Sequence, residues 1–264
     1  MSTSATPTRQ LINVNGNSLS EIVIGEGLPI LMLHGWGASA DLMLPLAKSL
    51  APLGYQCLIP DLPGFGESAP PPEAWDTIQY AELMLAYLDA HSIQRAFLIG
   101  HSFGGRISLV LGADHADRVV KMGLFNSAGI PPRRSLSSRV RLTLYKAGRD
   151  WLAALGAKSI SERLRSWYGN RYGSTDYQTA GALKETFLKV VNGDLSSYAS
   201  RVSVPTLLLW GENDADTPLW QAETLKKLIP DAGLITFPDA GHYSYLEKPA
   251  DSVRILHYFF SHDS

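Results

Sequence analysis

The chain has 264 residues, 45% of them hydrophobic and 18% charged, with a formal net charge of -2. These values set an expectation of one or two soluble globular domains with a large core, and they argue against nucleic acid as a main partner. The single cysteine, Cys57, excludes an internal disulfide, and no apolar run approaches the length of a membrane span.

The first nine residues are read as a mobile tail, and they lack the apolar core of a signal peptide, so the expected location is the cytoplasm. Leu11 to Asn17 and Ser18 to Ile24 read as two strands joined by an Asn-Gly-Asn turn. Pro29 to Leu33 is a buried strand that runs into His34-Gly35-Trp36-Gly37, ahead of a helix over Asp41 to Leu50. Tyr55 to Pro60 is the next strand, followed by Asp61-Leu62-Pro63-Gly64-Phe65-Gly66-Glu67-Ser68. Apolar residues at helical spacing fill Trp75 to His91. Ala96 to Ile99 reads as a buried strand, broken at Gly100 and followed by a buried helix after Gly105. Val119 to Phe125 is a further strand that leaves through Asn126-Ser127-Ala128-Gly129.

From Ile130 to about Ser200 the pattern changes to helical segments without a clear strand. Ser159 to Glu162 reads as a capping box ahead of Leu164, Trp167 and Tyr168. Thr175 to Gln178 reads as a second, opening a helix that stops at Asn192-Gly193. Strand logic returns at Pro205 to Trp210 and Leu234 to Phe237, with helices over Leu219 to Leu228 and Pro249 to Phe260. Strands alternating with helices predict an α/β fold, a mostly parallel sheet with helices on both faces. The expected division is a core of residues 1–129 and 201–264 with a helical insertion at 130–200.

Gly100-His101-Ser102-Phe103-Gly104 is G-x-S-x-G between a strand and a helix. Such a turn strains its central residue and pushes the Ser102 hydroxyl out of the top of the sheet. The Phe103 amide, at the start of the helix, is free to donate to an oxyanion. Serine needs a base, which is a histidine held by a carboxylate, both on loops at the carboxyl ends of strands. The loop after Trp210 offers Glu212, Asp214 and Asp216, and the loop after Phe237 offers His242. The order Ser, Asp, His is the one expected for a sheet of this kind.

Taken together, these motifs make the chain resemble the α/β-hydrolases, in the group of bacterial single-domain, cap-bearing esterases and related hydrolases. The resemblance runs through His34 to Gly37, Asp61 to Ser68, the Ser102 turn, Trp210 to Asp214 (W-G-x-x-D) and Gly241 to Pro249 (G-H-x-x-x-x-E-x-P). It implies Ser102 as nucleophile, His242 as base, Asp214 as orienting acid, an oxyanion hole from the Trp36 and Phe103 amides, and residues 130–200 as a cap. It implies cleavage of a small-molecule carboxylic ester with no cofactor and no metal. Trp36, Phe103 and Tyr243 adjoin this machinery and are candidates to bind substrate. Carbon–carbon bond hydrolases, lactonases, perhydrolases and small-molecule receptors share the triad and stand as alternatives. The carbon–carbon bond hydrolases usually carry Asn and Trp where this chain has His101 and Tyr243.

Other residues read as structural. Asp61 anchors its own turn, His101 packs away from Ser102, and His34 braces the oxyanion loop. His91, His115, His257 and His262 have no partner that the sequence identifies. Pro131 to Arg171 carries a net +8. Within it Val140, Leu144 and Trp151 share one helical face, expected to pack over the site while the basic face meets solvent. That basic face also offers a surface for anionic substrates or an anionic membrane. Oligomeric state is not readable.

Overall fold

Asn15 and Gly16 both take positive φ, 50° and 84°, the geometry of a two-residue turn that matches the twist of a hairpin. They join β1 (Thr8–Val14) to β2 (Asn17–Ile24), paired antiparallel. The computed structural model describes residues 7–133, 136–157, 159–164, 167 and 175–262. The expectations for residues 1–6, Arg134, Lys158, Arg165, Tyr168 and Arg171 lie outside the described residues, as does the side chain of Arg139. The sheet begins earlier than the sequence suggests. Thr8 and Arg9, read as tail, belong to β1, because the Arg9 guanidinium is held by Asp61 at 2.6 Å and Asp41 at 2.8 Å.

The remaining strands are β3 (Leu28–Leu33), β4 (Tyr55–Pro60), β5 (Ala96–His101), β6 (Val119–Phe125), β7 (Thr206–Gly211) and β8 (Ala232–Phe237). They form one eight-stranded sheet in the order β1-β2-β4-β3-β5-β6-β7-β8. From β4 to β8 the strands are parallel, with β1 and β2 as the antiparallel edge.

Alternation along the strands divides the core in two. Leu31, Leu33, Leu98, Leu124 and Leu208 pack on one face against α2 (Thr77–Ala90) and α3 (Phe103–Asp114). Ile30, Met32, Ile99, Phe125 and Leu209 pack on the other against α1 (Ala40–Leu50) and the carboxyl-terminal helix Pro249–Ser261. Both faces of each central strand are therefore apolar, as a covered parallel sheet requires. This is an α/β fold with a mostly parallel sheet between helical layers.

Between β6 and β7 the described residues contain helices and no strand. They include α4 (Leu136–Ala154), α5 (Thr175–Thr179) and α6 (Lys184–Asn192). The single helix expected from Thr175 to Asn192 is broken, because Gly181 sits at φ 53°, a region that favours glycine and interrupts a helix. The expectation for α4 is also corrected. Val140, Leu144 and Trp151 are 51%, 68% and 64% exposed rather than packed over the site. Phe187 and Val190 of α6, which are buried, line the cavity instead.

Candidate active site

Ser102 sits where β5 ends and α3 begins, at φ 49° and ψ -104°. For a residue with a side chain this backbone costs on the order of 1–3 kcal/mol and persists only where its surroundings enforce it. The Ser102 amide donates to the Phe125 carbonyl at 3.1 Å, its carbonyl accepts from Ala128 at 3.1 Å, and the Gly104 amide donates to the His34 carbonyl at 3.1 Å. The turn is thus tied to the ends of β3 and β6. A Cβ on Gly104 would lie 2.1 Å from the Leu33 carbonyl oxygen, and one on Gly100 2.7 Å from the Gly104 carbonyl. Only glycine fits at either place.

Asp214 and His242 meet at the carboxyl ends of β7 and β8. His242 Nδ1 lies 2.9 Å from Asp214 Oδ2. A proton on Nδ1 donated to that oxygen leaves Nε2 as the basic nitrogen. Burial alone would raise the Asp214 carboxyl, but hydrogen bonds from His242 and Thr217 outweigh it and hold the group below its ordinary value. Glu212 and Asp216, the other acids of this loop, are exposed. Thr236 donates to Glu212 at 2.8 Å, and the Asp216 amide donates to Asp214.

The loop after β3 runs against the Ser102 turn. A Cβ on Gly35 would lie 2.8 Å from His101 Nδ1 and 3.3 Å from Ser102 Cβ. Neither the Trp36 amide nor the Phe103 amide donates to a protein acceptor among the described residues. His34 fixes this loop from within, with Nδ1 on the Gly35 carbonyl at 2.8 Å and Nε2 accepting from the Leu62 amide at 3.0 Å. Asp61 lies further back. It accepts from the Ala40 amide at 2.6 Å and the Glu67 amide at 3.0 Å, which starts α1 and closes its own turn.

Ser102, His242, Trp36, Phe103 and Tyr243 line one cavity of about 640 Å³, together with Asp176 and Asp216. Asp214 lies behind His242, buried. Among the described residues the Ser102 hydroxyl makes no hydrogen bond to another side chain, His242 included. Such contacts are often loose before substrate is in place. Trp36 packs edge-on against Phe103 at 5.5 Å and Phe187 at 5.0 Å, which makes one wall aromatic. Oxygens of Asp214 and Asp216 and a nitrogen of His242 come within 4.8 Å of one another, close enough for a metal. The Asp214 oxygens, however, are already committed to donors from Asn126, Asp216, Thr217 and His242.

His101 is buried behind the nucleophile. Its Nε2 donates to the His242 carbonyl at 2.9 Å, while Nδ1 is buried without a partner. Burial, and then the charge of His242, pushes its pKa down to about 3, so it stays neutral. Several contributors were not visible in the sequence. Asn126 Nδ2 donates to Asp214 at 2.6 Å, and Thr217 Oγ1 does the same at 2.6 Å. The signal for Asn126 was its place at the carboxyl end of β6, on the rim where α/β sheets carry their sites. The distant histidines have partners after all. His91 pairs with Glu21, His115 with Glu82, and His257 with the Tyr55 hydroxyl.

The architecture has clear relatives. The family model of the alpha/beta hydrolase fold matches residues 29–249. The pimeloyl-[acyl-carrier protein] methyl ester esterase of Chromobacterium violaceum is 30% identical, over 88% of this chain and 94% of that one. The 2-hydroxymuconate semialdehyde hydrolase of Pseudomonas putida is 29% identical, over 90% of this chain and 88% of its own. A solved serine hydrolase involved in carbazole degradation superposes with a TM-score of 0.75 over 97% of this chain and 99% of that one, at 22% identity. No helix among the described residues is long and apolar enough to cross a membrane. A family match that spans the sheet from β3 to the last helix leaves one assignment: this chain belongs to the alpha/beta hydrolase fold family.

Proposed function

We propose that the protein is a serine hydrolase that cleaves carboxylic esters through an acyl-enzyme on Ser102. The observation that carries this reading is the strained Ser102 turn sharing a cavity with His242, whose Nδ1 is held by Asp214 at 2.9 Å. His242 Nε2 takes the Ser102 proton as the hydroxyl oxygen attacks the ester carbonyl. The Trp36 and Phe103 amides donate to the oxyanion, each such donor contributing about 3 kcal/mol to the transition state. His242 then gives its proton to the leaving alcohol. It next activates a water that releases the acyl group and restores Ser102. Asp214 fixes the imidazole tautomer and stabilises its charged form.

Trp36, Phe103 and Tyr243 contact the acyl or alcohol group. Residues 130–200 act as a cap on a core made of residues 1–129 and 201–264, with α6 supplying Phe187 and Val190 to the cavity. The similarity to an esterase that acts on a methyl ester supports the ester reading. Similarity to 2-hydroxymuconate semialdehyde hydrolase makes carbon–carbon bond hydrolysis the second reading. His101 and Tyr243, standing where such enzymes usually carry Asn and Trp, favour the first. Steady turnover of a short p-nitrophenyl ester, with an organophosphate label found on Ser102, is the expected result. A single stoichiometric burst followed by no turnover would mark a receptor rather than an enzyme.

A further inference from the structure

Arg106 lies one helical turn beyond Ser102 on α3 and lines the same cavity, although the residue is only 5% exposed. Its Nη2 donates to the carbonyl of Gly193, at the carboxyl end of α6, and its buried Nε–H has no partner among the described residues. Gly193 permits this approach, since a Cβ there would lie 3.1 Å from Arg106 Nη2. A guanidinium has five donors, and among the described residues only this one bond uses them.

Among the described residues no ion pair matches this charge. Burial, opposed only by the field of Asp194, brings the Arg106 pKa down to about 10, so the group is charged at neutral pH. Asp194 is itself engaged, accepting from the Ser196 amide at 2.9 Å and the Ser196 hydroxyl at 2.6 Å. The negative end of the α6 dipole offsets a part of the charge. A single bond to a carbonyl needs no charge, and a neutral donor would tie α6 to α3 at a smaller desolvation cost.

The other charges of the cavity are grouped elsewhere. Asp176 is raised by burial and by Asp216, and is otherwise influenced by His242. Asp216 stands beside His242. Arg106, Asp176, Asp216 and Ser102 thus line one cavity that holds a buried cation as well as two acids.

We infer that Arg106 binds a carboxylate carried by the substrate, so that the ester opened at Ser102 is one whose acyl or alcohol part ends in a carboxylate. The planar fork of arginine suits such a group, and a charge-assisted bond to a guanidinium as buried as this one is stronger than one at the surface. Asp176 and Asp216, which line the same cavity, repel that carboxylate, so Arg106 is the group in the cavity that attracts it. This inference rests on the reading of Ser102 as the nucleophile of an ester hydrolase.

The test compares monomethyl esters of linear dicarboxylic acids with methyl esters of monocarboxylic acids of equal length. Wild type, Arg106→Met and Arg106→Lys are assayed side by side. The ratio of kcat/KM, charged over neutral, should fall by about 10- to 100-fold in Arg106→Met, mainly through KM, and recover in part in Arg106→Lys. A ratio that stays the same in both variants overturns the inference while leaving the ester reading intact. Calorimetry on Ser102→Ala supplies a readout that needs neither turnover nor a folded Arg106→Met. The charged ester should bind about tenfold more tightly than the neutral one, and equal binding would overturn the inference. If wild type hydrolyses neither ester, the ester reading fails, and calorimetry on Ser102→Ala with and without Arg106→Lys still decides whether Arg106 binds a carboxylate.

Discussion

Asp214 Oδ2 accepts a hydrogen bond from His242 Nδ1 at 2.9 Å, and the rest of that carboxylate is held by its surroundings. Asn126 Nδ2 reaches it at 2.6 Å, the Asp216 and Thr217 amides at 2.8 and 2.9 Å, and Thr217 Oγ1 at 2.6 Å. An acid so fully engaged cannot swing away from the imidazole. Asp214→Asn should therefore lower kcat by about 10⁴, because an amide favours the wrong histidine tautomer. Asp216→Asn should cost far less, since the contact it makes to Asp214 comes from the backbone. Parallel kcat measurements decide the point, and a larger loss at Asp216 would contradict the assignment.

Acid stability has a separate source on the far edge of the sheet. Glu21 is buried and accepts from the Tyr87 hydroxyl, from His91 Nε2 at 2.8 Å and from Gln10 Nε2 at 2.8 Å. Burial alone would raise its carboxyl, but these bonds outweigh that and hold it below the ordinary value. A carboxyl lowered in the folded state stabilises the fold above its unfolded pKa, and that contribution is lost as pH falls through the folded one. Between about pH 5 and pH 3 the Tm of wild type should therefore fall more steeply than that of Glu21→Gln. Parallel Tm curves would show that Glu21 is not a source of the acid sensitivity.

Asp61 predicts a large stability effect away from the chemistry. Its fully buried carboxylate holds Arg9 at 2.6 Å, the Ala40 amide at 2.6 Å and the Glu67 amide at 3.0 Å. Gly66 makes room for it, since a Cβ there would lie 2.2 Å from Asp61 Cγ. Arg9 is partly exposed and also meets Asp41, so the cost of Asp61→Asn is that of leaving buried donors poorly matched, about 1–3 kcal/mol. Urea denaturation of Asp61→Asn should show a loss of that order. A change below about 1 kcal/mol would place the organising contact elsewhere.

The strands and the Ser102 turn were legible because their signals are local. Apolar runs end in glycines that nothing else can replace, as Gly104 against the Leu33 carbonyl illustrates. Choosing among Glu212, Asp214 and Asp216 by spacing alone was not possible. Their burial separates them, and it depends on Asn126 reaching across from the end of β6 while Thr217 closes the loop from within. Arg106 was hidden for the same reason. Nothing in the spacing of this apolar helix marks it, and only the fold brings Gly193 to it. The amphipathic spacing of α4 told which residues share a face, but not that Val140, Leu144 and Trp151 would be left uncovered. The start of α2 was missed by two residues, because its capping box uses Asp76 and Gln79.

The central claim is that Ser102 is the nucleophile, and turnover by Ser102→Ala tests it most directly. With melting behaviour unchanged, kcat for a short p-nitrophenyl ester should fall by roughly five to six orders of magnitude, because the other hydroxyls lining the cavity, on Thr217 and Tyr243, do not stand on the strained turn, and that of Thr217 already donates to Asp214. A folded Ser102→Ala protein that keeps most of the wild-type rate would contradict it.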